Sequence, residues 1–201
     1  MGRTAAYLLA MLCGAVPAAL ACLCLRPRRK RRLAGRGLYS SWKREALLTL
    51  FWMFCGGMAV LTLMPRWAVW SLVDCLHGYG WNVGGYPFFV LGEINLIPFR
   101  TFRLDGHSLY MLLGNIVMFL PFGFFPALLR RGFTWKRALA AGLCVTGFIE
   151  CWQLLVGRAF DIDDLMLNTL GTLCGFWLWR LLRRAAPAFA ERFWVKANSV
   201  T

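Results

Sequence analysis

The chain is poor in acidic residues. Nine Asp and Glu stand among 201 residues, against 23 Lys and Arg, and only two His are present. Charged residues make up 16% of the sequence, where a soluble domain carries about 25%. So few acids beside ten Trp and sixteen Phe exclude an ordinary soluble domain. They also exclude a disordered basic tail, which would lack the apolar mass. No CxxC occurs, which removes zinc ribbons and thioredoxin-like redox motifs. No HExxH, P-loop, GxGxxG or Ser-His-Asp ordering is present, and no internal repeat is visible.

Apolar length is what the chain has instead. It is 59% hydrophobic, with a mean hydropathy of +0.56. Five stretches are long enough to cross a bilayer, which takes about 20 residues: 4–25, 46–64, 109–129, 138–156 and 165–182. The expected fold is an all-α, polytopic membrane helix bundle. Pro17, Pro121 and Pro126 fall inside spans, where membrane helices tolerate them. Seven of the eight cysteines also lie in spans and Cys75 stands alone in a loop, so they read as small apolar residues rather than a disulfide framework.

Loop charges orient the bundle. Eighteen basic residues fall in the 26–44 and 130–137 loops and the carboxyl-terminal segment, with Glu45 and Glu191 as the acids on that side. The other side has five Arg and seven acids. The positive-inside rule then puts the amino terminus outside and the carboxyl terminus in the cytoplasm. The surplus of +14 is thus an orientation signal, and no nucleic-acid partner is expected. Arg28 to Arg32 read as a topogenic cluster that resists translocation, so the first span is expected to be an uncleaved anchor rather than a signal peptide. The chain divides into an anchor with its basic loop (1–45), a membrane domain (46–182) and a basic tail (183–201).

The longest connection, 65–108, is rich in Trp and Tyr, which suit the membrane interface. A short interfacial helix is expected over 67–76, and a turn at Asp105-Gly106. Residues 86–91 are apolar but too short to span, so they dip back or lie along the surface. Residues 93–100, with Glu93, Asn95 and Arg100, fold onto the bundle mouth. The 157–164 loop holds Arg158, Asp161, Asp163 and Asp164. Helix capping by Asp163 or Asp164 accounts for one carboxylate, but not for three together with an arginine.

Polar groups inside spans are costly and few. Asn115 lies in the third span, Glu150 and Gln153 in the fourth, and Asn168 in the fifth. At 1.5 Å per residue all fall within roughly 5–10 Å of the outer boundary, so three helices place polar groups in one layer. Glu150 and Gln153 share a face, as do Asp164, Asn168 and Gly171. Gly171 and Gly175 form a small-xxx-small pair for helix packing. Interhelical hydrogen bonding by Asn115 and Asn168 is one reading. For Glu150 a functional role is the default, with Arg158 as its nearest expected partner.

The ordered segments Asn95-Leu96-Ile97-Pro98-Phe99, Asn115 through Pro121-Phe122-Gly123, Glu150-Cys151-Trp152-Gln153, Arg158 through Asp161 to Asp164, and Asn168-Thr169-Leu170-Gly171 with Gly175 resemble the VanZ-like family. The resemblance covers about residues 93–179. It implies a bacterial cell-envelope protein, multi-pass in the plasma membrane; the family's founding member is associated with teicoplanin resistance. It implies no particular reaction. Three readings stay open. In one, the chain binds a glycopeptide or a lipid-linked cell-wall intermediate. Arg100, Arg103 and Arg158 then hold phosphate or carboxylate groups, and Asn95, Asn115, Gln153 and Asn168 serve the sugar hydroxyls. In another, the chain is an intramembrane enzyme on a lipid-linked substrate, with Glu150 as general acid or base and Asp161 and Asp164 orienting it or holding a metal. In the third, the polar layer only packs the helices. The carboxylate spacing matches no EF-hand, so neither a metal nor a cofactor is assigned, and the partners expected besides the ligand are membrane lipids.

Overall fold

The computed structural model describes residues 3–80, 85–100 and 106–197. Trp81, Arg103 and Asp105 lie outside them, as does the side chain of His107. Five helices among the described residues are long and apolar enough to cross a membrane. They are α1 (Arg3–Ala34), α2 (Trp42–Leu63), α4 (Gly106–Leu129), α5 (Trp135–Leu155) and α6 (Ile162–Ala185). The short α3 (Arg66–Leu76) follows α2, where a short helix was expected over 67–76. One further short helix, α7 (Pro187–Glu191), follows α6. Large apolar side chains such as Leu12, Leu20, Val117, Leu170 and Leu178 point away from the protein. On helices of membrane-spanning length, such wide apolar faces are suited to lipid. The chain is a multi-pass α-helical membrane protein.

Two helix contacts are made backbone to backbone. Gly14 of α1 faces Gly56 of α2, and a methyl group on either would strike the other's carbonyl. Along α4 and α6, Gly171 packs on the Ile116 carbonyl, Gly175 on the Leu120 carbonyl and Gly123 on the Thr172 carbonyl. The small-xxx-small pair therefore packs α6 onto α4, as its spacing implied. Side chains fill the other junctions. Phe51 and Phe54 of α2 meet Phe122 and Phe125 of α4, and Met58, Phe119 and Ile149 form a small core between α2, α4 and α5.

Two pairs of two-residue strands tie the ends. At one end β1 (Leu38–Tyr39) pairs antiparallel with β4 (Lys196–Ala197). This joins the α1–α2 connection to the tail, and we call it the basic end. At the other end β2 (Ile94–Asn95) pairs parallel with β3 (Phe160–Asp161), joining the long loop to the α5–α6 turn; this is the polar end. α1 runs further than its apolar stretch, because the basic run continues the helix to Ala34. There Arg29 turns back to the Cys22 carbonyl (2.9 Å) and to the buried Glu45 (2.7 Å), which also accepts from Ser40 (2.6 Å).

Candidate functional site

At the polar end the chain between Tyr86 and Arg100 forms a strap over the α5–α6 turn. The Val90 and Gly92 N–H groups donate to the Leu155 and Leu154 carbonyls (3.0 and 2.7 Å), and the Phe160 N–H donates to the Glu93 carbonyl (2.8 Å). Gly92 is required here, since a Cβ would overlap the Arg158 carbonyl. The strap turns at Phe99, which has φ 64°. A bulky residue in this left-handed region is strained and persists only where its surroundings hold it. The Asp163 carboxylate does so, accepting from the Phe99 N–H at 2.6 Å. Asp163 itself is fully buried. The apolar tip of the strap, Leu96, Ile97 and Phe99, is exposed.

The acids of the 157–164 loop divide the work. Asp161 is the N-cap of α6, its carboxylate accepting from the Asp163 N–H (2.9 Å). This corrects the expectation that Asp163 or Asp164 caps; α6 begins at Ile162, so both already lie in its first turn, where a carboxylate also opposes the helix dipole. Asp164 accepts from the Asn115 amide on α4 at 2.6 Å. Glu150 of α5 is 1% exposed, and its carboxylate accepts from the Asp161 N–H at 3.0 Å. Four acids are thus gathered at one place, each serving a different segment.

Glu150 makes no ion pair with Arg158 among the described residues, contrary to the expected pairing. Arg158 instead donates to the Leu61 and Thr62 carbonyls at the end of α2 (3.0 and 3.4 Å). Gln153 donates to Thr62 O (3.1 Å) and the Trp152 indole to Leu63 O (2.6 Å). These are last-turn carbonyls without partners in their own helix. The capping partners come from α5 and its following loop, so the three side chains clasp α5 to α2. Burial lowers the Arg158 pKa from its ordinary value; nearby Arg66 adds to this, while Glu150 and Asp164 oppose it.

The remaining candidates join the same region. Asn95 is buried in β2, where its side-chain oxygen faces the Ile97 N–H and the Arg100 guanidinium, each at 3.4 Å. Arg100 is exposed. Asn168 lies one turn deeper, its amide donating to Thr146 Oγ1 (3.1 Å) while its oxygen is buried without a hydrogen bond. Asn95, Arg100, Asn115, Glu150, Gln153, Arg158, Asp161, Asp164 and Asn168 are therefore brought to one end of the bundle. Glu150, Gln153, Asn95 and Asn168 lie inside it, while Asp161, Asp164 and Asn115 keep partial exposure. Asp163, expected only as a cap, and Trp152, named only within a motif, complete the network together with Thr146, which was not singled out from sequence. Among the described residues no group of three or more His, Cys, Asp or Glu could hold a metal ion.

A multi-pass bundle with a buried polar layer at one end, closed by a strap from its longest loop, is the class of protein defined here. The VanZ/LLP1 family model matches residues 48–183, and the chain belongs to that family. It is also 30% identical over 121 residues to a phospho-N-acetylmuramoyl-pentapeptide-transferase of Desulforudis audaxviator (strain MP104C), a match covering 59% of this chain and 36% of that protein. The chain thus spans about a third of the length of that curated relative. No solved structure matches it.

Proposed function

We propose that the polar end binds the head of an amphiphilic envelope molecule, a lipid-linked cell-wall intermediate or a glycopeptide, and that this binding is the route to any contribution to glycopeptide resistance. The observation that carries the reading is the junction of two unlike surfaces. Asp161, Asp164 and Asn115 form a partly open polar floor, and an exposed apolar strap tip lies on the same end with Arg100 beside it. Carboxylates and an amide suit sugar hydroxyls, the guanidinium suits a phosphate or carboxylate, and Leu96, Ile97 and Phe99 suit a lipid chain. The excess of basic residues at the opposite end supports an outward-facing polar end. A relative named for a phospho-muramoyl-pentapeptide transfer supports a cell-wall molecule as ligand.

The buried Glu150 carboxylate beside Asp161 favours a second reading, in which Glu150 acts as general acid or base on the bound lipid-linked molecule.

The test uses the purified full chain in nanodiscs with a lipid-linked muropeptide or teicoplanin as probe. Binding is expected to weaken at least about tenfold in Arg100→Gln and Asp164→Asn, the loss of a charge-assisted contact being worth roughly 1.5–3 kcal/mol. Absence of binding to either probe by the wild type overturns the proposal. A bacterial host producing wild type, Glu150→Gln or Asp161→Asn at matched levels then reports teicoplanin susceptibility. Loss of phenotype in Glu150→Gln with probe binding retained supports the catalytic reading. Full phenotype in Glu150→Gln rejects it.

A further inference from the structure

At the basic end, between the start of α5 and the last turns of α6, lies a cleft of about 400 Å³. Phe176 and Trp179 contribute apolar wall, while Arg180, Arg183 and Arg184 line it from α6 and Thr134 from the α5 side. All three arginines are exposed. None has an ion pair among the described residues, where both salt bridges go to Glu45. No guanidinium among them donates a hydrogen bond to a described protein group either. Two of them lie over indole rings: Arg183 over Trp179 and Trp194 (5.6 and 5.4 Å), and Arg180 over Trp177 (5.4 Å). Stacking of this kind fixes a guanidinium plane while leaving its N–H donors unused. Thr134 precedes α5 without making a side-chain capping bond, so its hydroxyl is also uncommitted.

Three guanidiniums without acids, beside the exposed indoles of Trp135 and Trp177, have the pattern of a headgroup site at a membrane surface. We propose that this cleft binds the phosphate group of an anionic phospholipid in the leaflet at the basic end. The site is separate from the polar end and does not depend on the function proposed there.

The probe is phosphatidylglycerol, titrated into the detergent-solubilised full chain and counted by native mass spectrometry, with phosphatidylcholine and inorganic phosphate as parallel arms. The informative variant is Arg180→Gln with Arg184→Gln, two exposed positions at which glutamine keeps the helix. The control, Arg28→Gln with Arg31→Gln, removes the same charge from exposed positions on α1 at the same end. Wild type is expected to prefer phosphatidylglycerol over phosphatidylcholine. The cleft variant should lose roughly tenfold or more in affinity, as two lost cations near a membrane surface imply, and the control should stay within about twofold. Equal weakening in both variants, or no preference for phosphatidylglycerol, overturns the proposal. Inorganic phosphate binding to the cleft as tightly as the lipid assigns the site to free phosphate and overturns the lipid assignment.

Discussion

Replacing Gly92 by alanine would put a methyl group where the Arg158 carbonyl already sits. Backbone opposes backbone there, so no side chain can swing aside. The strap must lift away from the α5–α6 turn. Lifting breaks the bonds from Val90 to Leu155, Gly92 to Leu154 and Phe160 to Glu93, at 3.0, 2.7 and 2.8 Å. At about 0.5–1.5 kcal/mol each, roughly 2–4 kcal/mol of local stability is lost. That corresponds to strap opening about 30- to 1,000-fold more frequent. Hydrogen exchange with mass spectrometry in nanodiscs reads this directly. Peptides covering 90–95 and 154–161 should exchange faster in Gly92→Ala, while the α4 and α6 interiors keep their protection. Gly114→Ala is the matched control, because Gly114 lies inside α4 with open space around it. Unchanged protection of 90–95 in Gly92→Ala would refute the strap geometry and with it the placement of Asn95 and Arg100.

Four further outcomes are expected. Gly175→Ala should lower the thermal unfolding midpoint in detergent by separating α4 from α6, whereas Gly147→Ala, where a methyl meets only Leu165 at 3.9 Å, should leave it nearly unchanged. A double-mutant cycle on Asn115→Ala and Asp164→Ala should give a coupling of about 1–3 kcal/mol by unfolding measurements, since their 2.6 Å bond is charge-assisted; a coupling near zero would contradict the contact. Arg158→Ala should destabilise by roughly 1–3 kcal/mol by leaving α2 carbonyls unsatisfied, and Arg158→Lys should recover part of that in the same melt. Reporter fusions after Arg36 and after Gly106 should fall in opposite compartments, with the first cytoplasmic; a cytoplasmic signal after Gly106 would reverse the orientation of the polar end.

Span positions were legible because hydrophobic length is a property of one segment at a time. The gathering of Asn115, Glu150, Gln153 and Asn168 at one end was legible for a related reason, since depth along a helix is counted from its end. What each polar group touches was not, because that depends on which helices are neighbours. Arg158 illustrates the difference. A nearby buried carboxylate was the expected partner, yet the carbonyls closing α2 take its donors. Nothing in sequence shows that α2 ends beside α5. Asp163 and Asp164 illustrate it again. Neighbouring residues on a helix point about 100° apart, so one carboxylate meets the strap and the other α4. Thr146 carries no charge to mark it, and only the proximity of Asn168 reveals its role.

The helix contacts differ in stiffness. Glycine-mediated backbone contact joins α1 to α2, and joins α4 to α6. Between α2 and the helices α4 and α5 the junction consists of phenylalanine rings, the Met58–Phe119–Ile149 core and, at the polar end, the clasp of Trp152, Gln153 and Arg158 on the last carbonyls of α2. Rings slide and change rotamer where packed backbones cannot. The seam between the α1–α2 pair and the other helices is therefore fastened at its two ends, by the β1–β4 pairing at the basic end and by the clasp at the polar end beside the strap.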